Sequence, residues 1–373
     1  MYVNQLKTYF PMLREREELL AEIRENPELS AIYDRWSRER REEFLNFCCG
    51  IQGIRVLYDS FFKETLNPEY DPSRLEDFLS TVLGRKVRIV KVLPNDSTRI
   101  ADETSLLITD IVVELEDGSL ANVEIQKIGY MFPGARCACY LSDLLLRQYK
   151  RVRDQKGDKF SYRDIRNVYL IVIYEKSPAE FKALPEVYYH NSKQVFNSGL
   201  KLDMLQEYFM INLDIFKACM QNKNIENNLD AWLTFLCDDR PEKIVELIQT
   251  YPKFRAMYQT LYDMCQNTEG VMRMFSKELL ELDRNTVQYM IEEQQQKLDQ
   301  KDRELSQKDR ELSQKDQELN QKDQELSQKD RELSQKDQEL NRKDQKLSSL
   351  QSEIDCLKKM LEEATRNVSN PEM

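Results

Sequence analysis

Residues 106–127, LLITDIVVELEDGSLANVEIQK, constrain this chain more than any other stretch, because two aliphatic and β-branched runs of strand length flank an Asp117-Gly118 pair. Asp-Gly between such runs predicts a β-hairpin. The loop length then decides what the hairpin can do. A two-residue loop would pair Asp110 with Ile125 and send Asp110 and Glu124 to opposite faces. A three-residue loop, Glu116-Asp117-Gly118, with Gly118 left-handed in a bulge, shifts the register by one and sets Asp110 across from Glu124. Gln126 then shares their face, two residues along. This second register is the expectation. Two carboxylates and an amide with β-carbons about 5 Å apart repel unless a cation sits between them, and such an oxygen-rich set suits Mg²⁺ or Mn²⁺. The alternative is a pair of polar residues on a solvated sheet face.

The rest of the sequence narrows the classes available. No apolar run approaches the roughly 18 residues of a membrane span, and MYVNQLKTYFPMLRERE lacks the apolar core of a signal peptide, so no membrane is expected and the location expected is cytoplasmic. Eight cysteines, among them the Cys48-Cys49 pair and Cys137 with Cys139, match neither a zinc spacing nor a dense disulfide framework. His190 is the only histidine, which excludes a histidine-rich metal centre and leaves little room for a Ser-His or Cys-His nucleophile.

Along the chain, residues 12–49 carry helical periodicity interrupted at Asn26-Pro27, which predicts two covering helices. VLYDSFFKET, 56–65, begins another helix, with Asp59 and Lys63 four apart on one face. Pro72 to Leu83 is a further helix stopped by Gly84, and a short strand is expected at 87–93. After the hairpin, Pro133-Gly134 opens a helix over about 135–153. Leu141, Leu144, Leu145 and Val152 form its apolar face, and Arg136, Tyr140, Asp143, Arg147 and Arg151 recur at three- and four-residue spacing on the other side. From Arg147 to Arg166 eight Lys or Arg stand against three Asp, a local charge of +5 on a chain of net −11. Such a patch can seat phosphates even where the whole molecule is acidic. VYLIVIY, 168–174, reads as a buried strand and 208–216 as another. The order helix, strand, hairpin, helix, strand defines a mixed α/β layer, and residues 229–296 turn fully helical.

A tandem heptad, K-D-R/Q-E-L-S/N-Q, follows from Lys301, placing Leu at 298, 305, 312, 319, 326, 333, 340 and 347. With Leu at core position a, position d is mostly Lys (Lys308, Lys315, Lys322), which makes a weak seam. Glu-to-Lys pairs at i,i+4, such as Glu304 with Lys308 and Glu311 with Lys315, support an exposed helix. Leu347, Leu350, Ile354, Leu357 and Leu361 alternate by three and four, so self-association is expected to start there.

Several of these stretches carry a family resemblance. LYDSFFKE (57–64), VLPND (92–96), TDIVVELEDGSLANVEIQK (109–127) and GYMFPGARCACYLSDLLLRQY (129–149) resemble the PD-(D/E)XK nuclease family transposases, also described as recombination-promoting nucleases, and AWLTFL (231–236) and FSKELLELDRNTVQYMI (275–291) extend the likeness. The resemblance implies an α/β, restriction-endonuclease-like mixed sheet flanked by helices, with a helical C-terminal region and a long repeat helix. The implied division is an N-terminal helical extension (1–52), a nuclease core (53–222), a helical region (223–296) and a heptad-repeat tail (297–373). It also implies DNA as substrate and Mg²⁺, with Mn²⁺ as a substitute, as cofactor. Asp110 and Glu124 match the acidic metal ligands, and the backbone carbonyl of Ile125 would add a third oxygen. Gln126 stands where the general pattern has Lys, Asp59 and Lys63 match a supporting first-helix motif, and Arg136, Tyr140 and Arg147 are candidates to grip phosphate. The rival expectation is a DNA-binding scaffold that has lost the cut and assembles through its tail.

Overall fold

The computed structural model describes residues 4–94, 111–129, 132–221 and 223–368. Helices α1 (Gln5–Tyr9), α2 (Arg16–Glu25), α3 (Pro27–Arg35), α4 (Arg38–Cys48), α5 (Asp59–Thr65) and α6 (Pro72–Leu83) precede strands β1 (Ile89–Leu93), β2 (Ile111–Leu115) and β3 (Leu120–Gln126). Helix α7 (Pro133–Lys156) leads to β4 (Val168–Tyr174), followed by α8 (Ala179–Lys182), β5 (Tyr189–Lys193), β6 (Gln206–Asn212) and α9 (Leu213–Cys219). Helices α10 (Asn228–Cys237), α11 (Pro241–Thr250), α12 (Lys253–Met264) and α13 (Thr268–Val368) complete the chain. Among the described residues no helix is long and apolar enough to cross a membrane.

Local chemistry sets these limits. Asn26 accepts from the Glu28 N–H with Pro27 in the first turn of α3, and Asp71 does the same for Ser73 ahead of α6, which Gly84 closes at φ +65°. The segment 12–49 holds three helices rather than the two expected, because Ser37 caps a fresh start, accepting from the Arg40 N–H (3.4 Å). The strand expected over 208–216 ends at Asn212, and Leu213–Cys219 turns helical. An apolar run does not by itself distinguish a buried strand from a buried helix turn.

The strands form one sheet in the order β1-β2-β3-β4-β6-β5. The outer pairs are antiparallel, while β3-β4 and β4-β6 run parallel. Central β4 is buried along its whole length, as its unbroken apolar run requires. Side-chain alternation divides the sheet between two cores. Val112, Leu120, Leu170 and Val172 face α7 with Leu141 and Leu144. Val113, Ala121, Val123 and Ile171 face a larger core that also includes Phe44, Phe61, Trp232, Tyr258 and Phe275 from the flanking helices. The N-terminal helices and α10–α12 therefore share one core with the sheet.

Two compact units result, Met1–Glu293 and Gln294–Met373. In the second, the heptad leucines from Leu298 to Leu347 are all exposed. Glu304 and Glu311 take hydrogen bonds from Gln300 (3.2 Å) and Gln307 (3.3 Å), one turn earlier.

Candidate metal and nucleic-acid site

The hairpin joining β2 to β3 closes through two backbone hydrogen bonds: Leu115 N–H donates to the Ser119 carbonyl (2.9 Å) and Gly118 N–H to the Leu115 carbonyl (2.8 Å). Gly118 sits at φ +80°, the left-handed residue of a three-residue bulged loop. Asp117 braces it, accepting from the Ser119 N–H (3.0 Å) and facing Arg85 (3.0 Å). Burial alone would raise the Asp117 carboxyl, but these partners hold it below the usual carboxylate range. The register runs Ile111 to Val123, Val112 to Asn122, Val113 to Ala121 and Glu114 to Leu120. A two-residue loop would have shifted every one of these pairs. Asp110 lies outside the described residues.

On β3, Asn122, Glu124 and Gln126 alternate onto the α7 face. Glu124 is only 2% exposed, and the Asn122 Nδ2 donates to its Oε1 at 2.8 Å. Asn122 is itself fully buried, and its Oδ1 has no hydrogen-bond partner among the described residues. Residue type does not mark Asn122, although its place two residues before Glu124 on the same strand face is a signal of contact. Carboxylate and amide oxygens are the hard donors that suit Mg²⁺ or Mn²⁺. Among the described residues no three His, Cys, Asp or Glu side chains converge as a metal cluster. A complete carboxylate set would have to include Asp110.

Gln126 lines a small cleft with Pro133, Arg136, Cys137, Tyr140 and Tyr174. Burial pushes both the Cys137 thiol and the Tyr174 phenol up, so both are neutral near pH 7. The Arg136 guanidinium brings the positive charge, 3.8 Å from Glu292. Arg147 lies farther along α7, where buried Asp143 (3.7 Å) and the Pro94 carbonyl engage it, so a phosphate would compete with both. Ile125 pairs with Ile173 and packs its side chain on the larger core, leaving only its backbone for any role at the site.

Lys127 leaves β3 on the opposite face, as strand alternation demands. Its ammonium is ion-paired with Glu278 from α13, both side chains being buried, and sits 6.0 Å from the Tyr58 ring centroid. The other Glu278 oxygen accepts from the Asp59 N–H at 2.9 Å, and the Asp59 carboxylate pairs with Lys63 at 2.8 Å. Burial raises the Glu278 carboxyl, and Lys127 pulls it back only in part. The first-helix pair is thus tied to the end of β3 through Glu278. The ammonium of Lys127 does not stand in for the lysine that Gln126 replaces.

A mixed sheet with an acid-bearing hairpin, a parallel crossover and helices on both faces defines an α/β fold of the restriction-endonuclease-like class. The family profile described as PD-(D/E)XK nuclease family transposase matches residues 56–293, and the chain belongs to that family. No curated protein and no solved structure matches it.

Proposed function

We propose that the chain is a metal-dependent DNA endonuclease that hydrolyses phosphodiester bonds. The hairpin register supports this reading: the ladder is described as far as Ile111 opposite Val123, and its continuation by one residue would set Asp110 opposite Glu124. With Asp110 opposite Glu124, two carboxylates and the Ile125 carbonyl would hold Mg²⁺ or Mn²⁺. Bound there, the ion supplies Lewis-acid charge to the scissile phosphate and acidifies the attacking water. Asn122 fixes the Glu124 carboxylate through its Nδ2 hydrogen bond. Gln126 orients the water through its amide but adds no charge. Arg136 and Tyr140 line the cleft and would contact phosphate there, with Arg147 farther along α7. Asp59 and Lys63 support the end of β3 through Glu278. Cutting of this kind would serve recombination or the movement of DNA elements, and a cytoplasmic location fits the substrate. The 347–361 stretch of the tail is proposed to bring copies together as a coiled coil.

Gln126 favours a second reading, a DNA-binding scaffold that no longer cuts, because an amide cannot supply the cation of the general pattern. Nicking of supercoiled plasmid with Mg²⁺ and with chelator, for the parent and Asp110→Ala, separates the two. The nuclease reading expects Mg²⁺-dependent nicking in the parent that is lost in the variant. Equal activity in both proteins, or none in either, contradicts it.

A further inference from the structure

The C-terminal end of α7 carries a feature that the proposed catalytic reading does not use. Tyr149 on α7 packs edge-on against Phe160 (5.5 Å between centroids), and Tyr162 lies nearly parallel to Tyr149 (17°, 6.2 Å) and edge-on to Phe160 (5.4 Å). Tyr149 and Phe160 are half-buried and hold the two 3₁₀ turns, Gly157–Lys159 and Tyr162–Asp164, against the helix. Tyr162 is 75% exposed. Its ring meets both neighbours, yet most of its surface faces water.

Cationic residues flank this cluster in sequence. The Arg153 guanidinium lies 5.8 Å from the Tyr149 centroid and donates to its hydroxyl at 2.5 Å. Lys159 and Arg163, beside Phe160 and Tyr162 in sequence, are exposed and form no ion pair among the described residues. Lys156 pairs with Asp164 (2.6 Å), and Arg147 and Arg151 pair with Asp143 and Glu114 outside the window, so the cations of this patch without an ion pair among the described residues include Lys159 and Arg163. An exposed aromatic face inside a positive patch on an acidic chain is the chemistry that holds a nucleic-acid strand by base stacking.

We infer that Tyr162 is a stacking seat for an unpaired base, so that the partner of this surface is DNA with a single-stranded segment. The seat lies about 20 Å along α7 from Arg136 at the cleft, at 1.5 Å per residue. That is roughly the length of six base pairs at 3.4 Å each, so one substrate could reach both. The inference rests on the nuclease reading for its choice of DNA, but its test needs no cutting.

Anisotropy of a labelled oligothymidylate and of a duplex of equal length, with the full chain in chelator, provides that test. Tyr162→Ala is expected to weaken single-strand binding about 5- to 150-fold, the range for losing one base–aromatic stack, and to leave duplex binding within about twofold. Tyr162→Trp is expected to restore it, and Arg163→Ala to reduce the salt slope for the single strand by about 0.7. The thermal transition of Tyr162→Ala should match the parent's, since the side chain is exposed. Unchanged single-strand affinity, an equal loss on duplex, or no binding by the parent overturns the seat. A parent that binds through Tyr162 but never nicks plasmid loses the nuclease reading and keeps the seat. Nicking with a Tyr162→Ala variant that binds single strands like the parent gives the reverse.

Discussion

Burying the Glu124 carboxylate costs free energy that the Asn122 amide offsets only in part. The two side chains sit on one face of β3 because they are two residues apart, so the strand brings them together before any tertiary packing. Removing the amide would leave a buried carboxylate oxygen short of a donor. Asn122→Ala is expected to lower stability by about 1–3 kcal/mol, read as the shift in a urea unfolding midpoint with unchanged slope. An unchanged midpoint would mean that Glu124 does not depend on this hydrogen bond. On the far side of the strand, Lys127 and Glu278 form a buried pair in which each charge is needed by the other.

At the level of elements, the hairpin loop fixes which face each β2 residue takes. A side chain at Gly118 would have to adopt φ +80°, and its Cβ would stand 3.3 Å from the Arg166 Cγ. Gly118→Val is therefore expected to destabilise by at least about 1–2 kcal/mol, measured by chemical denaturation; a neutral effect would deny the bulged loop. Gln148 on α7 secures the same loop, donating to the Gly118 carbonyl (3.1 Å) and accepting from the Arg166 N–H (2.9 Å). The loop, α6 and β4 were legible because Asp-Gly, Pro72 with Gly84, and an unbroken apolar run each carry a local physical cause. The edge strand Tyr189–Lys193 was not, since YHNSK is polar and its pairing with β6 is set by the backbone. Glu124 and Gln126 stood out by residue type, whereas Asn122 did not. The engagement of Arg147 by Asp143 and the Pro94 carbonyl and of Lys127 by Glu278 depends on contacts that no local pattern encodes.

At the scale of the whole molecule, the larger core draws side chains from Leu6 to Phe275. The helices before and after the sheet therefore hold the face of β3 that carries Lys127, while α7, with Phe181 of α8, packs on the face that carries Glu124. The heptad unit differs in kind: its leucines are exposed at one position in seven, too sparse a stripe to fold on itself. Truncation after Gln296 is expected to reduce the mass seen by light scattering from an oligomer to a monomer. An unchanged oligomeric state would remove the tail from assembly. The proposed function needs the hairpin to carry a divalent-metal pair of carboxylates. Calorimetric titration of Mn²⁺ into the parent, Asp110→Asn and Glu124→Gln, each shown to be folded by its thermal transition, checks this. Mn²⁺ binding in the parent that is lost in both variants is the expected result, and equal Mn²⁺ binding by all three proteins would contradict it.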